Sequence, residues 1–150
     1  TGDGDEELVA ALLAAEATVR SKLMVALKRV DIFALLTEAQ LELLGDAMVQ
    51  APFDVGEYVF EQGDEGDAFY VIVEGSISAI RVEGLGTPEE EETVLCQWGE
   101  GAYFGERALL KSQVRFAGVR ADTKLKVMSI TRAGFEDILG PLQDLIPDKF

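Results

Sequence analysis

Two side chains of opposite charge frame the stretch of this chain best suited to chemistry. Glu106 opens a helix-prone run at 106–110, and Arg115 follows nine residues later, after the turn-like Lys111, Ser112 and Gln113. Gly101 and Gly105 loosen the chain just ahead of the run. A helix start offers amides with no partner inside the helix and the positive end of a dipole, a natural seat for a phosphate. A carboxylate at that start can accept hydrogen bonds from hydroxyls beside the phosphate. A guanidinium folded back onto the seat can clamp the phosphate with two parallel bonds. Acid, base and helix start together describe a detector for a small anion that carries a sugar.

The rest of the chain must position that seat. Residues 1–7 are rich in Gly, Asp and Glu and read as a disordered acidic tail. Residues 8–51 form an N-terminal helical segment. In it Leu8, Leu12, Val19, Leu23, Leu27 and Val30 recur at threes and fours, a stripe expected to pack on the domain. Thr37 and Gln40 have the spacing of a capping box ahead of a second helix with an apolar stripe of Leu41, Leu44 and Met48, ending before Pro52. Residues 52–131 read as short strands separated by turn residues at Gly56, 62–67, Gly75 and 84–88. The glutamates at 89–92 are assigned to an exposed loop and Thr93 to the start of the next strand. A strand over 114–120 would place Arg115 and Ala117 on one face and Phe116 on the other. Residues 132–150 form a C-terminal helical segment, with stops at Gly140-Pro141 and Pro147, that reads as truncated at Phe150. Helices, then strands, then helices predict an α+β, mainly β fold: an antiparallel β-roll or jelly-roll barrel flanked by helices.

Composition narrows the chemistry. The chain has 150 residues, no histidine and one cysteine, Cys96. Without histidine there is no Ser-His or Cys-His nucleophile and no histidine metal site, and one cysteine makes no internal disulfide. No metal site is expected: Asp64, Glu65 and Asp67 lack the spacing and closing glutamate of a calcium loop. A net charge of −15 argues against nucleic-acid or anionic-membrane partners, so a phosphate must be held by local geometry. The lone cysteine and the lack of a basic signal peptide or a long apolar run point to the cytoplasm.

The run Phe104-Gly105-Glu106, then Ala108-Leu109-Leu110, then Arg115-Phe116-Ala117 resembles the phosphate-binding cassette of cyclic-nucleotide-binding domains, here residues 103–117. Upstream, the motif from Gly63 to Gly75, with Asp64, Gly66, Asp67, Phe69 and Tyr70 between, resembles the same family's strand-turn-strand signature. The resemblance covers residues 30–139 and implies the same β-roll. It implies that Glu106 binds the ribose 2′-hydroxyl, that Arg115 binds the cyclic phosphate, and that backbone amides at Gly105, Ala108 and Phe116 serve the sugar phosphate. Phe104, Arg107 and Ala117 complete the expected ligand-binding set, and Leu95 and Cys96 are expected on the base side. Arg107 in Gly-Glu-Arg-Ala-Leu-Leu and the strand Val94-Leu95-Cys96-Gln97-Trp98 look most like cGMP-dependent protein kinases. Phe116 stands where guanine-selective sites commonly carry a hydroxyl, and it offers no such donor.

The function implied is a non-catalytic regulatory domain of a cGMP-dependent serine/threonine kinase. It would bind cGMP, with cAMP as the other candidate ligand, and have a kinase catalytic domain in cis or in trans as partner. In the family, capture draws the cassette inward, a leucine matching Leu109 or Leu110 shifts, and the following helix closes over the base, relieving autoinhibition. Leu142, Leu145, Ile146 and Phe150 are the candidates for the cap. A regulatory subunit of a cAMP-dependent kinase, or a sensing module of a channel or other client, are the alternatives.

Overall fold

Helices take both ends of the chain and strands its middle. The computed structural model describes residues 2–145. The 28-residue helix α1 (Gly2–Arg29) runs from the first of these, so residues 2–7, expected as a tail, form its opening turns, where acids suit the helix dipole. Its apolar stripe divides. Leu23, Ala26, Leu27 and, just past the helix, Val30 are buried, whereas Leu8 and Leu12 are 60% and 57% exposed.

A 3-10 turn (Asp31–Phe33) leads to α2 (Glu38–Ala47). The capping box is formed: the Gln40 N–H donates to Thr37 Oγ1 at 3.1 Å, and the Thr37 N–H donates to Gln40 Oε1 at 2.8 Å. Leu41, Leu44 and Met48 are buried, as their spacing requires.

The strands are β1 (Val49–Phe53), β2 (Tyr58–Phe60), β3 (Glu65–Gly66), β4 (Ala68–Glu74), β5 (Ile77–Glu83), β6 (Glu91–Trp98), β7 (Tyr103–Phe104), β8 (Gln113–Val114), β9 (Gly118–Ala121) and β10 (Leu125–Thr131). They form two four-stranded antiparallel sheets, ordered β1-β10-β4-β7 and β2-β9-β5-β6, and a two-stranded ribbon β3-β8. The first sheet is covered on both faces. On one, Phe69, Val71, Val73 and Ile130 pack with Leu27, Phe33, Leu44, Leu109 and Phe135 from the helices and the cassette. On the other, Tyr70, Ile72, Leu125 and Val127 pack with Ile77, Val119 and Ala121 of the second sheet. Two-sided burial is why β4 reads as a continuous apolar run rather than an alternating one. The architecture is the expected one: antiparallel sheets rolled on each other, helices at both ends, and a short cassette helix between β7 and β8. α3 (Arg132–Leu139) starts at Thr131, whose Oγ1 accepts from the Gly134 N–H at 3.0 Å, and α4 (Leu142–Leu145) follows Gly140 and Pro141.

Several boundaries differ from expectation. α2 ends before Pro52 as expected, but already at Ala47, so Pro52 lies inside β1 and the strands begin at Val49 rather than at residue 52. β1 is an edge strand, which tolerates a residue without an N–H. Glu91 and Glu92 belong to β6, paired to Glu83 and Val82, because ladder bonds outweigh local acidity. Residues 115–117 are not in a strand: β8 ends at Val114 and β9 begins at Gly118, so the predicted alternation of Arg115, Phe116 and Ala117 does not apply. Leu142 is buried in the helical core and Leu145 packs against it. Ile146, Pro147 and Phe150 lie outside the described residues.

Candidate functional site

Arg115 is placed by backbone bonds to the turn before β3. Its N–H donates to the Asp64 carbonyl at 2.7 Å, and its own carbonyl accepts from the Gly63 N–H at 2.8 Å. Fixed on both sides, the residue turns its side chain into the roll. There Nη2 donates to the Ala68 carbonyl at 2.8 Å. The guanidinium carbon sits 4.1 Å from the Phe60 ring centroid and 5.9 Å from that of Tyr70. Two glycines make the slot. A Cβ on Gly66 would collide with Arg115 Nε, and one on Gly105 would come within 2.7 Å of the Ala68 oxygen and 2.9 Å of Arg115 Nη1. Gly105 also has a φ of +80°, the left-handed conformation that turns the chain from β7 into the 3-10 helix (Glu106–Leu109).

The electrostatics of this slot point to an anion. Arg115 Nε is buried with no hydrogen-bond partner, and among the described residues no carboxylate lies within ion-pair distance of the guanidinium. Burial pushes the guanidinium below its usual range, while Tyr70, Asp67 and Asp64 pull the other way. An arginine nonetheless keeps its proton. A partly buried, charged fork with one carbonyl partner is suited to a ligand that presents two oxygens. Burial also pushes the Tyr70 phenol up, so the ring beside the fork is neutral.

The other expected residues distribute around this slot. Glu106 is half-buried at the start of the 3-10 helix. It makes no ion pair with Arg115, so the two are not a pair that merely pins a loop. Arg107 is exposed, and its carbonyl accepts from the Leu110 and Lys111 amides at 3.0 and 3.3 Å. Ala108 is buried, and its N–H donates to the Gly105 carbonyl at 3.0 Å. The Phe104 ring stacks on Tyr70 at 5.1 Å, with Trp98 at 6.4 Å on an aromatic wall of the interior. Leu95 is exposed, and Cys96, half-buried, stands opposite Ala79. Ala117 is half-buried, and Phe116 is exposed beside Arg81. The structure thus brings Gly105 and Arg115 into contact and leaves Arg107 and Leu95 at the surface. Among the described residues no group of three or more acidic, Cys or His side chains is gathered as a metal site.

Sequence reasoning did not assign Phe60, Gly66, Ala68 and Tyr70 to the seat. Gly66 was visible as a turn glycine, and nothing local to it announces an arginine 49 positions later in the chain.

The chain is 36% identical over 120 residues to the cAMP-dependent protein kinase regulatory subunit of Emericella nidulans, a match covering 80% of this chain and 27% of that protein. It is also 36% identical over 130 residues to the cGMP-dependent protein kinase egl-4 of Caenorhabditis elegans, covering 85% of this chain and 16% of that one. It therefore spans only a fraction of the length of these curated relatives. Among solved structures it is similar to the regulatory domain of Toxoplasma gondii PKA in its co-crystal structure with cAMP. The identity is 32% and the TM-score 0.66, over 88% of this chain and 49% of that one. Residues 51–140, which hold the arginine slot, α3 and both sheets but for the first two residues of β1, match the model of the cyclic nucleotide-binding domain, and the chain belongs to that family.

Proposed function

We propose that this chain is the regulatory domain of a cyclic-nucleotide-dependent serine/threonine protein kinase, with cGMP as its ligand and cAMP as the alternative. One observation carries the reading. Arg115 is an inward-turned guanidinium whose Nε has no hydrogen-bond partner and which no carboxylate neutralises among the described residues, in a slot lined by glycines. That is the arrangement a cyclic phosphate needs. Glu106, free of Arg115, serves the ribose 2′-hydroxyl in this reading. In this reading the client is a kinase catalytic domain in cis or in trans, in the cytoplasm, and this chain does no chemistry; the similarity to kinase relatives supports it. The cassette sequence favours cGMP, whereas equal identity to a cAMP-dependent regulatory subunit keeps cAMP in view.

The packing offers a route by which binding reaches the helices. Leu109 of the cassette helix is buried in the same core as Phe135 of α3 and Phe33. Tyr103 Oη donates to the Arg29 carbonyl at 3.3 Å, joining β7 to the end of α1, and Arg132 Nη2 donates to Ser112 Oγ at 3.0 Å, joining α3 to the cassette. A ligand that shifts the cassette therefore pulls on both helical ends. Only a difference in ligand affinity between two arrangements transmits anything.

Calorimetric titration of the domain with cGMP and cAMP, side by side, tests the reading. Saturable binding of either supports it, and hydrogen exchange in 8–30 and 132–145 should slow or quicken with ligand. Binding of neither nucleotide sinks the ligand assignment, and unchanged exchange at saturation sinks the relay.

A further inference from the structure

One pair of side chains serves neither the core nor the phosphate seat. Phe116 follows Arg115 directly, yet it is 67% exposed, which is too open for a packing residue. It is nonetheless held. The Arg81 guanidinium carbon lies 4.4 Å from the Phe116 ring centroid, and Arg81 Nη1 donates to the Phe116 carbonyl at 2.7 Å. Arg81 is steadied in turn by Glu83, Nε to Oε1 at 3.1 Å.

The pair is well placed for a base. Alternation along β5 puts Ile77, Ala79 and Arg81 on one face, and Ile77 belongs to the cluster inside the roll. On the neighbouring strand Cys96 stands opposite Ala79 and Thr93 opposite Arg81. Arg81 therefore shares a face with Ile77 and Ala79, beside Cys96, and holds the exposed Phe116 ring one residue along the chain from Arg115. A cyclic nucleotide is short and stiff, so a base whose phosphate sits on Arg115 stays near the slot.

We propose that Phe116, clamped by Arg81, is the platform on which the purine base stacks, so that this site reads the face of the base and not its edge. The inference rests on the cyclic-nucleotide reading above and specifies its base selectivity. A phenyl ring attracts any purine face and carries no donor or acceptor to tell an amino from an oxo group at the six position. Stacking grows with ring area, so a purine gains more than a pyrimidine. Arg81 is a positioning residue: it fixes the ring before the ligand arrives and so lowers the ordering cost of binding.

The test is calorimetry with cAMP, cGMP and cyclic CMP on the unaltered domain and on Phe116→Ala, Phe116→Trp and Arg81→Lys, with thermal melts of each. Phe116 is exposed, so its variants should melt with the parent. The two purines should bind the parent within about tenfold of each other and tighter than cyclic CMP. Phe116→Ala should weaken both purines by about 5- to 150-fold and cyclic CMP less, so that the purine preference collapses. Phe116→Trp should keep that preference, and Arg81→Lys should reduce it in the same direction as Phe116→Ala but by less. An unchanged purine-to-pyrimidine ratio in Phe116→Ala, or an equal loss for all three ligands, overturns the platform and leaves the cyclic-nucleotide reading standing. So does a preference above about a hundredfold for one purine that survives in Phe116→Ala, since that requires an edge reader. If the parent binds none of the three, both readings fall together.

Discussion

Replacing Arg115 by methionine separates binding from folding more cleanly than any other change in this chain. Methionine keeps an unbranched apolar stem against Phe60 and between Gly66 and Gly105, and it removes only the charge and the fork. The unliganded domain loses the bond from Nη2 to the Ala68 carbonyl and the stacking on Phe60. A hydrogen bond from a charged donor is worth about 1.5–3 kcal/mol net, and a cation over an aromatic face about 0.5–2 kcal/mol. Against that loss stands relief from desolvation. Nε no longer sits buried without a partner, and a partly buried charge carries a share of a penalty that reaches several kcal/mol per ion. The two sides nearly offset, so stability should move by no more than about 1.5 kcal/mol in either direction. Binding has no such offset. Removing one partner of a buried charged pair costs about 2–5 kcal/mol, or about 30- to 4,000-fold in affinity. Urea unfolding without ligand and calorimetry with cGMP and cAMP, on the same preparations, give both numbers. Arg115→Lys, which keeps the charge as a point and loses the fork, should fall between parent and methionine in affinity. Two results would refute the reasoning. One is a loss of less than about fivefold in Arg115→Met when the parent binds. The other is a loss of more than about 3 kcal/mol in stability, which would make the arginine a structural strut.

Other changes test the slot and its supports. Gly66→Ala puts a methyl group where Arg115 Nε lies, so the guanidinium must shift; affinity should fall by about tenfold or more, and restoring it would require a change at Arg115 rather than elsewhere. Glu106→Ala should weaken cGMP and cAMP more than their 2′-deoxy forms, so an equal loss for both in parallel titrations would detach the carboxylate from the sugar. Leu109→Ala removes a side chain that is 1% exposed and should cost about 2–5 kcal/mol in urea unfolding, with hydrogen exchange quickening in α3 because the two share a core. Thr37→Ala removes the hydroxyl half of the capping box, leaving the backbone N–H of residue 37 on Gln40 Oε1, and should cost about 1 kcal/mol without changing ligand affinity, a useful control for variants that merely loosen the fold.

How much of this was legible in the sequence depended on how far apart the cooperating residues lie. The capping box at Thr37 and Gln40 needs one turn of helix, and three-residue spacing declares it. The cassette was legible for a similar reason: Gly105, Glu106 and Arg115 are close in the chain, and the left-handed turn at Gly105 is one that only its residue type adopts cheaply. Locality also misled. Alternation was carried through Arg115, Phe116 and Ala117 as though they belonged to a ladder, but the Arg115 backbone bonds to Gly63 and Asp64 in a turn, and the side chain follows the slot and not the pleat. The glutamates at 91 and 92 looked like loop because their neighbours are acids, and the ladder to β5 overrode that. The stripe on α1 was right in period and silent on extent, since periodicity says which face is apolar and nothing about how far a neighbour reaches along it.

The aromatic cradle shows where such reading stops for a physical reason. Phe60, Gly66, Ala68 and Tyr70 come from three strands, β2, β3 and β4, and meet Arg115 only because β3 pairs with β8 and the two sheets fold onto each other. No spacing rule spans that distance. What the sequence does carry is the constraint left behind at each partner: a residue without a side chain at Gly66, a small one at Ala68, a flat one at Phe60. Each looks ordinary alone, and together they form a slot in which the planar guanidinium fits closely. A seat built this way gains selectivity from shape on the protein side before any ligand arrives. Such a seat would let a chain with a net charge of −15 hold an anion on a guanidinium turned inward.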